Sequence, residues 1–299
     1  MVVPEGMAGD AREALRHKPR AMEIHWLERL PTEPLADVLT AAQGFLEGEP
    51  FILHLADSMA RKSLPSRAET DPVDSLDAVI LVQEEARSHP GEVVDLRPRL
   101  ERAHPYFRVR RGAPAGVAVM GAGALDAAAA LDPSRCRGFE ALADRLLALG
   151  GTVRTRRVRE WWRFRGRTGA LLEGNRFALD GVSADFDRAH IASSDIQGSV
   201  VAHATASIES SIVRGPALIG PGARVHQAYI GPYTSLGERV VIEGAEIEHS
   251  VVFAGASIKH LGGRLEASIV GRDARIFRDF RLPRALRLEI GDGANVSLA

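Results

Sequence analysis

The 299-residue sequence has a single cysteine, Cys136. An internal disulfide is therefore excluded, and a lone thiol of this kind reads as a small buried hydrophobe rather than a nucleophile. Net charge is nearly absent, formally -1, so no global field draws the chain toward nucleic acid or an anionic membrane. No apolar run approaches the roughly 18 residues of a membrane span. The N-terminus also lacks the basic, apolar, small-residue order of a signal peptide. These absences predict a cytoplasmic protein whose partners are small molecules and other proteins, with neither nucleic acid nor membrane among them. What is present is ample apolar material, 45% of residues, enough for cores in about two domains at this length.

The C-terminal third carries a 17-residue recurrence: Ile208, Val225 and Ile242; Val213, Ile230 and Ile247; Ile219, Leu236 and Phe253. Within each repeat the apolar positions fall five or six apart, with Gly, Ala, Ser and Pro between them. This is the hexapeptide signature of a parallel β-helix, in which aliphatic residues point inward onto the coil below and small residues take the corners. The pattern runs from about Ser194 to Ile276, room for about four or five coils.

Upstream, strand-like and helix-like segments alternate. Phe51 to Ala56, Ala78 to Val82 and Gly116 to Met120 read as strands. Helical spacing covers Leu35 to Phe45, Ala124 to Leu131, and Phe139 to Leu149, the last stopped by Gly150-Gly151; a further helix, Gly169 to Leu179, leads into the β-helix. The alternation predicts an α/β layer with a largely parallel sheet. Met1 to Pro4 is itself strand-like and passes into a short helix around Ala11 to Leu15, so the sheet starts mid-unit. The expectation is either a reduced domain or coding sequence upstream of Met1. Domains are expected at 1–184 and 185–280, with a tail at 281–299.

An α/β domain followed by a β-helix resembles the sugar nucleotidylyltransferases, and within them the long-form glucose-1-phosphate thymidylyltransferases with a left-handed β-helical tail. The likeness is carried in the tail by Val213-Arg214-Gly215-Pro216-Ala217-Leu218-Ile219-Gly220, by Tyr229-Ile230-Gly231-Pro232-Tyr233-Thr234-Ser235, and by Glu243-Gly244-Ala245-Glu246-Ile247-Glu248-His249-Ser250. Upstream it runs through Pro34-Leu35-Ala36, Leu55-Ala56-Asp57, Arg137-Gly138, Trp161-Trp162 with Gly166, and Leu172-Glu173-Gly174-Asn175-Arg176. The resemblance implies a shortened Rossmann-like nucleotidylyltransferase domain on a left-handed β-helix. It also implies a reaction between a sugar phosphate and a nucleoside triphosphate with Mg²⁺. Leu35, Ala36, Gly116 and Trp162 become the candidate substrate contacts, and Asp57 the candidate metal ligand.

Several positions depart from that family's pattern. Its Gly-rich loop, GGxGTRLxPxTxxxxK, has no counterpart in this sequence; such loops stabilise charge on the transferring phosphoryl group with backbone amides and cations. Upstream coding sequence would account for that loss but not for the internal ones. Pro-Leu-Gly reads Pro34-Leu35-Ala36, Glu-Lys-Pro reads Leu96-Arg97-Pro98, and Arg-Gly-Glu-Leu-Glu reads Arg137-Gly138-Phe139-Glu140-Ala141. In Trp-x-Asp-x-Gly, the Asp that helps hold Mg²⁺ is Phe164, an aromatic ring where a hard cation needs oxygen.

Other chemistry-bearing residues have plainer readings beside the sharp ones. The arginines from Arg154 to Arg167 read as a solvated strand edge or as an anion grip, with Arg163, Arg165 and Arg167 sharing one face of a strand. His226, His249 and His260 bring acyl transfer to mind, since β-helical acyltransferases use a histidine base, but lone histidines more often serve structure. Trp161 and Trp162 read as core and cover, or as a stacking platform.

The sequence therefore predicts a degenerate nucleotidylyltransferase homologue acting as a regulatory or assembly subunit, as a homo-oligomer or with an active relative. The alternatives are an active enzyme with a displaced start, and an acyltransferase.

Overall fold

The computed structural model describes residues 1–15, 23–30, 35–60, 78–83, 113–131, 139–158, 160–164, 166–167, 169–186 and 188–280. Cys136, Leu96-Arg97-Pro98, Arg137-Gly138 and the tail 281–299 lie outside them. The chain forms two compact units, Met1–Arg165 and Gly166–Ala299.

In the first unit a four-stranded sheet has the order β3-β6-β5-β7, formed by β3 (Phe51–His54), β5 (Ala78–Gln83), β6 (Ala113–Met120) and β7 (Val153–Val158). β5 pairs parallel with β7, but β6 pairs antiparallel with both β3 and β5. The sheet is thus mixed where the sequence predicts a largely parallel one. A continuous apolar run such as Ala78-Val79-Ile80-Leu81-Val82 marks a strand covered on both faces without fixing its direction. Ile80 and Val82 face one core together with Ala118, Met120 and Leu146, whereas Leu81 faces another with Ala115, Val117 and Trp161. This alternation is the period-two pleat.

Three helices supply the first core: α2 (Leu35–Leu46), α3 (Ala124–Ala129) and α4 (Phe139–Ala148). α2 ends at Glu47 and Gly48, both with positive φ. α4 ends at Gly150 (φ 87°), where the Gly150 and Gly151 N–H groups donate to Leu147 and Leu146 carbonyls, an arrangement that satisfies last-turn carbonyls. β4 (Ser58–Ala60) and β8 (Trp161–Arg163) form a separate antiparallel pair. β1 (Val2–Pro4), followed by α1 (Ala8–Ala14), pairs parallel with β2 (Leu27–Arg29) in a two-stranded sheet.

The second unit opens with α5 (Gly169–Leu179) and continues as a parallel β-solenoid of about five turns, consistent with a left-handed β-helix. Its three sheets contain six, five and five short strands, from His190–Ala192 to Arg275–Phe277. The columns Ile208–Val225–Ile242–Ile258 and Val213–Ile230–Ile247 pair in register and are buried. In the third column Leu236 pairs with Val252, not with Phe253. The corner between Ile247 and Val252 is one residue shorter than the corner between Ile230 and Leu236. Two corners later the chain lengthens instead, with His260, Leu261, Gly262 and Gly263 lying between Lys259 and Arg264.

Corners repeatedly use left-handed backbone, as at Ser193, Ser210, Gln227 and Gly244 on successive coils. Outward side chains form ladders in which His226 stands 4.0 Å and His190 3.8 Å from Glu209, while Lys259 (3.0 Å) and His260 (3.7 Å) flank Glu243.

Candidate functional site

The site is built at the turn after β3. Leu55, Ala56 and Asp57 leave the strand, and the Ser58 hydroxyl donates to the Leu55 carbonyl at 3.0 Å, closing the turn. Ser58 is buried, and His54 Nε2 lies 3.1 Å from its Oγ. Gly116 on β6 faces this turn: its carbonyl accepts the Leu55 N–H at 2.8 Å, and its φ of +79° is left-handed. A Cβ there would stand 3.2 Å from Ser58 Oγ and 3.6 Å from Asp57 Oδ1. Glycine is required because the backbone conformation and the close approach coincide.

The other wall is β8. Trp161 is buried and packs with Leu81, Ala115 and Val117, and its ring lies 5.8 Å from His54. Trp162 is half-buried, 6.3 Å from the Phe164 ring. The Phe164 N–H donates to the Asp57 carbonyl at 2.6 Å, which sets residue 164 beside Asp57. Arg163 Nε donates to Asp57 Oδ2 at 2.9 Å. Asp57 Oδ1 is buried and has no hydrogen-bond partner among the described residues.

Of the residues singled out in the sequence, Asp57, Gly116 and Trp162 therefore gather around this turn. Ala36 is buried in the first core and Leu35 packs against the same core, so both serve the seating of α2. The arginine run divides: Arg163 holds Asp57, and Arg167 lies 3.7 Å from Glu173. Sequence reasoning missed the ion pair because its partners are 106 residues apart. The available signal was a cation placed between Trp162 and the residue aligned with a metal ligand.

A divalent cation does not fit this donor set. Oδ1 of Asp57 is buried, Oδ2 is taken by a guanidinium, and position 164 supplies no oxygen. Mg²⁺ requires several oxygen ligands in near-octahedral geometry. Among the described residues no group of three or more His, Cys, Asp or Glu side chains is placed to hold a metal ion.

The second unit has its own polar cluster where α5 meets the solenoid. Asn175 Nδ2 donates to the Tyr233 carbonyl at 2.8 Å and Asn175 Oδ1 accepts from Ser235 Oγ at 2.5 Å. The Tyr233 hydroxyl donates to Asp180 at 2.9 Å, and the Arg176 guanidinium lies 5.1 Å above the Tyr233 ring. On the coils, the Arg214 guanidinium holds the Asp195 carboxyl below its ordinary value, and the Lys259 ammonium does the same to Glu243. His249 packs its ring 5.7 Å from Tyr233, while His226 and His260 sit in the ladders beside Glu209 and Glu243.

An α/β unit with a β-solenoid tail is the architecture that the resemblance to the sugar nucleotidyltransferases implies. The comparisons agree. A glucose-1-phosphate thymidylyltransferase of Streptomyces griseus is 31% identical over 290 residues, 93% of this chain and 80% of that protein. One from Streptomyces antibioticus is 29% identical over 153 residues, 51% of this chain and 43% of that protein. The low-salt glycan biosynthesis nucleotidyltransferase Agl11 of Haloferax volcanii is 28% identical over 276 residues, 88% of this chain and 76% of that protein. The chain belongs to the glucose-1-phosphate thymidylyltransferase family of sugar nucleotidyltransferases. No family model matches it. Among the described residues no helix is long and apolar enough to cross a membrane.

Proposed function

We propose that this chain is a catalytically impaired member of its family, acting in the cytoplasm as a regulatory or assembly subunit in nucleotide-sugar synthesis, either with itself or with an active relative. The observation that carries this reading is the Asp57 carboxylate, with Oδ2 taken by Arg163, Oδ1 buried and Phe164 alongside. Nucleotidyl transfer depends on metal ions that bridge and neutralise the phosphates, and this carboxylate presents no oxygen for one. The solenoid meanwhile keeps its inward columns fully packed, which supports assembly as the retained property.

Purified protein given Mg²⁺, dTTP and glucose 1-phosphate is expected to release no pyrophosphate above background. The second reading, an active nucleotidyltransferase that joins a sugar phosphate to a nucleoside triphosphate with Mg²⁺, draws on identity that runs through 93% of the chain. Turnover by the unmodified protein that disappears in Asp57→Ala would establish it and end the first reading.

A further inference from the structure

Two features separate position 57 from a metal site, and they are not equivalent. Phe164 removes a ligand, whereas Arg163 supplies a competing positive charge already bonded to the remaining one at 2.9 Å. A carboxylate introduced beside that guanidinium meets a cation before any metal arrives, and a guanidinium carries five N–H donors, of which the bond from Nε to Asp57 uses one. We infer that Arg163 is the resident cation of this site, and that it, rather than Phe164 alone, decides that the site takes no divalent metal. This rests on the reading of the site as catalytically impaired.

The geometry behind the inference is local. Ser58 pairs with Arg163 and Met59 with Trp162 in the β4–β8 ladder, and the Phe164 N–H bonds to the Asp57 carbonyl. Residues 57, 163 and 164 are therefore held together by backbone hydrogen bonds that do not depend on the ion pair. Removing the guanidinium frees Oδ2 without dispersing the neighbours. Both members of the pair are about one-third exposed, 38% for Arg163 and 35% for Asp57, so a hydrated ion can reach the freed oxygen.

The test is a double-mutant cycle read by Mn²⁺ binding to the full-length chain, with isothermal titration calorimetry and water-proton relaxation as readouts. The unmodified chain and Phe164→Asp alone are expected to show no saturable Mn²⁺ site. Arg163→Leu alone is likewise expected to show none, whereas Arg163→Leu/Phe164→Asp is expected to bind one Mn²⁺ saturably, about tenfold or more tighter than the detection limit that bounds the single variants. Adding Asp57→Asn should abolish that binding. Arg163→Gln/Phe164→Asp repeats the test with a neutral side chain closer in length and polarity to arginine, in case leucine impairs folding. Arg163→Lys/Phe164→Asp, which keeps the charge, should stay silent.

Saturable, Asp57-dependent Mn²⁺ binding by Phe164→Asp alone, or by the unmodified chain, would overturn the inference. So would failure of both charge-removing double variants to bind while folded. Pyrophosphate release by the unmodified chain would instead overturn the reading of impaired catalysis, so the two failures are told apart by different measurements.

Discussion

Gly116 carries two constraints at once, a left-handed φ of +79° and a side-chain position 3.2 Å from Ser58 Oγ. Gly116→Ala is expected to destabilise the first unit by about 1–3 kcal/mol, measured by denaturant unfolding; a neutral result would mean the turn around Asp57 relaxes freely. Ile230 illustrates the opposite kind of residue. It is fully buried between Val213 and Ile247, so Ile230→Asp should cost on the order of 3–5 kcal/mol by burying an unpaired charge. Exposed Arg272→Glu should be nearly silent. Equal effects at the two sites, by circular dichroism melting, would mean that the inward column is misassigned. Ile230 was legible in the sequence because its environment repeats every coil. Gly116 was legible as the start of a strand and, through the family resemblance, as a candidate substrate contact, but its left-handed φ and its closeness to Ser58 were not, because they involve a turn 58 positions away. Arg163 read as one basic residue among many, because nothing local encodes a partner 106 residues distant.

Helices and strands were read well where one face meets a core. The sequence placed α2, α4 and α5 to within a residue or so, because each has apolar residues at helical spacing and a glycine or polar stop. Strand direction was less legible, since Ala78 to Val82 is apolar on both faces and pairs one way with β6 and the other with β7. The docking of α5 was also out of reach of local pattern, because it rests on Asn175 meeting Tyr233 and Ser235 nearly sixty residues on. Asn175→Ala should loosen that helix at a cost of about 1–3 kcal/mol, visible as faster proteolysis within Gly169–Leu179. An unchanged cleavage rate would place the anchoring elsewhere.

The coil ladders make an acid-side prediction. Asp195 and Glu243 titrate below their ordinary values of 3.8 and 4.5 because Arg214 and Lys259 hold the charged forms. Their contribution to stability is therefore present above those values and is lost as pH falls through the still lower folded values. Asp195 is exposed and Glu243 partly exposed, so solvent screens both pairs; the melting temperature of the solenoid should decline only modestly in that window, and added salt should flatten the decline. A melting temperature that rises on acidification would contradict the ladder.

At the scale of the whole molecule, the division between Arg165 and Gly166 assigns α5 to the solenoid unit. Residues 166–299 are expected to fold alone and to melt above residues 181–299, which lack the Asn175 contacts. Equal melting temperatures for the two fragments would show that α5 adds nothing to the solenoid. The 17-residue recurrence revealed the solenoid, yet it misplaced Phe253 because the period is not strictly kept. Five residues separate Ile242 from Ile247, but seven separate Ile258 from Leu265 on the next coil, and still Glu246 pairs with Arg264 and Ile247 with Leu265. Spacing along the chain changes while alignment across the coils does not. The sheets act as rails and the corners as slack joints between them. A loop can therefore grow outward from a corner such as Gly262-Gly263 while every strand above and below keeps its neighbour, so this scaffold can acquire new surface without redesigning its core.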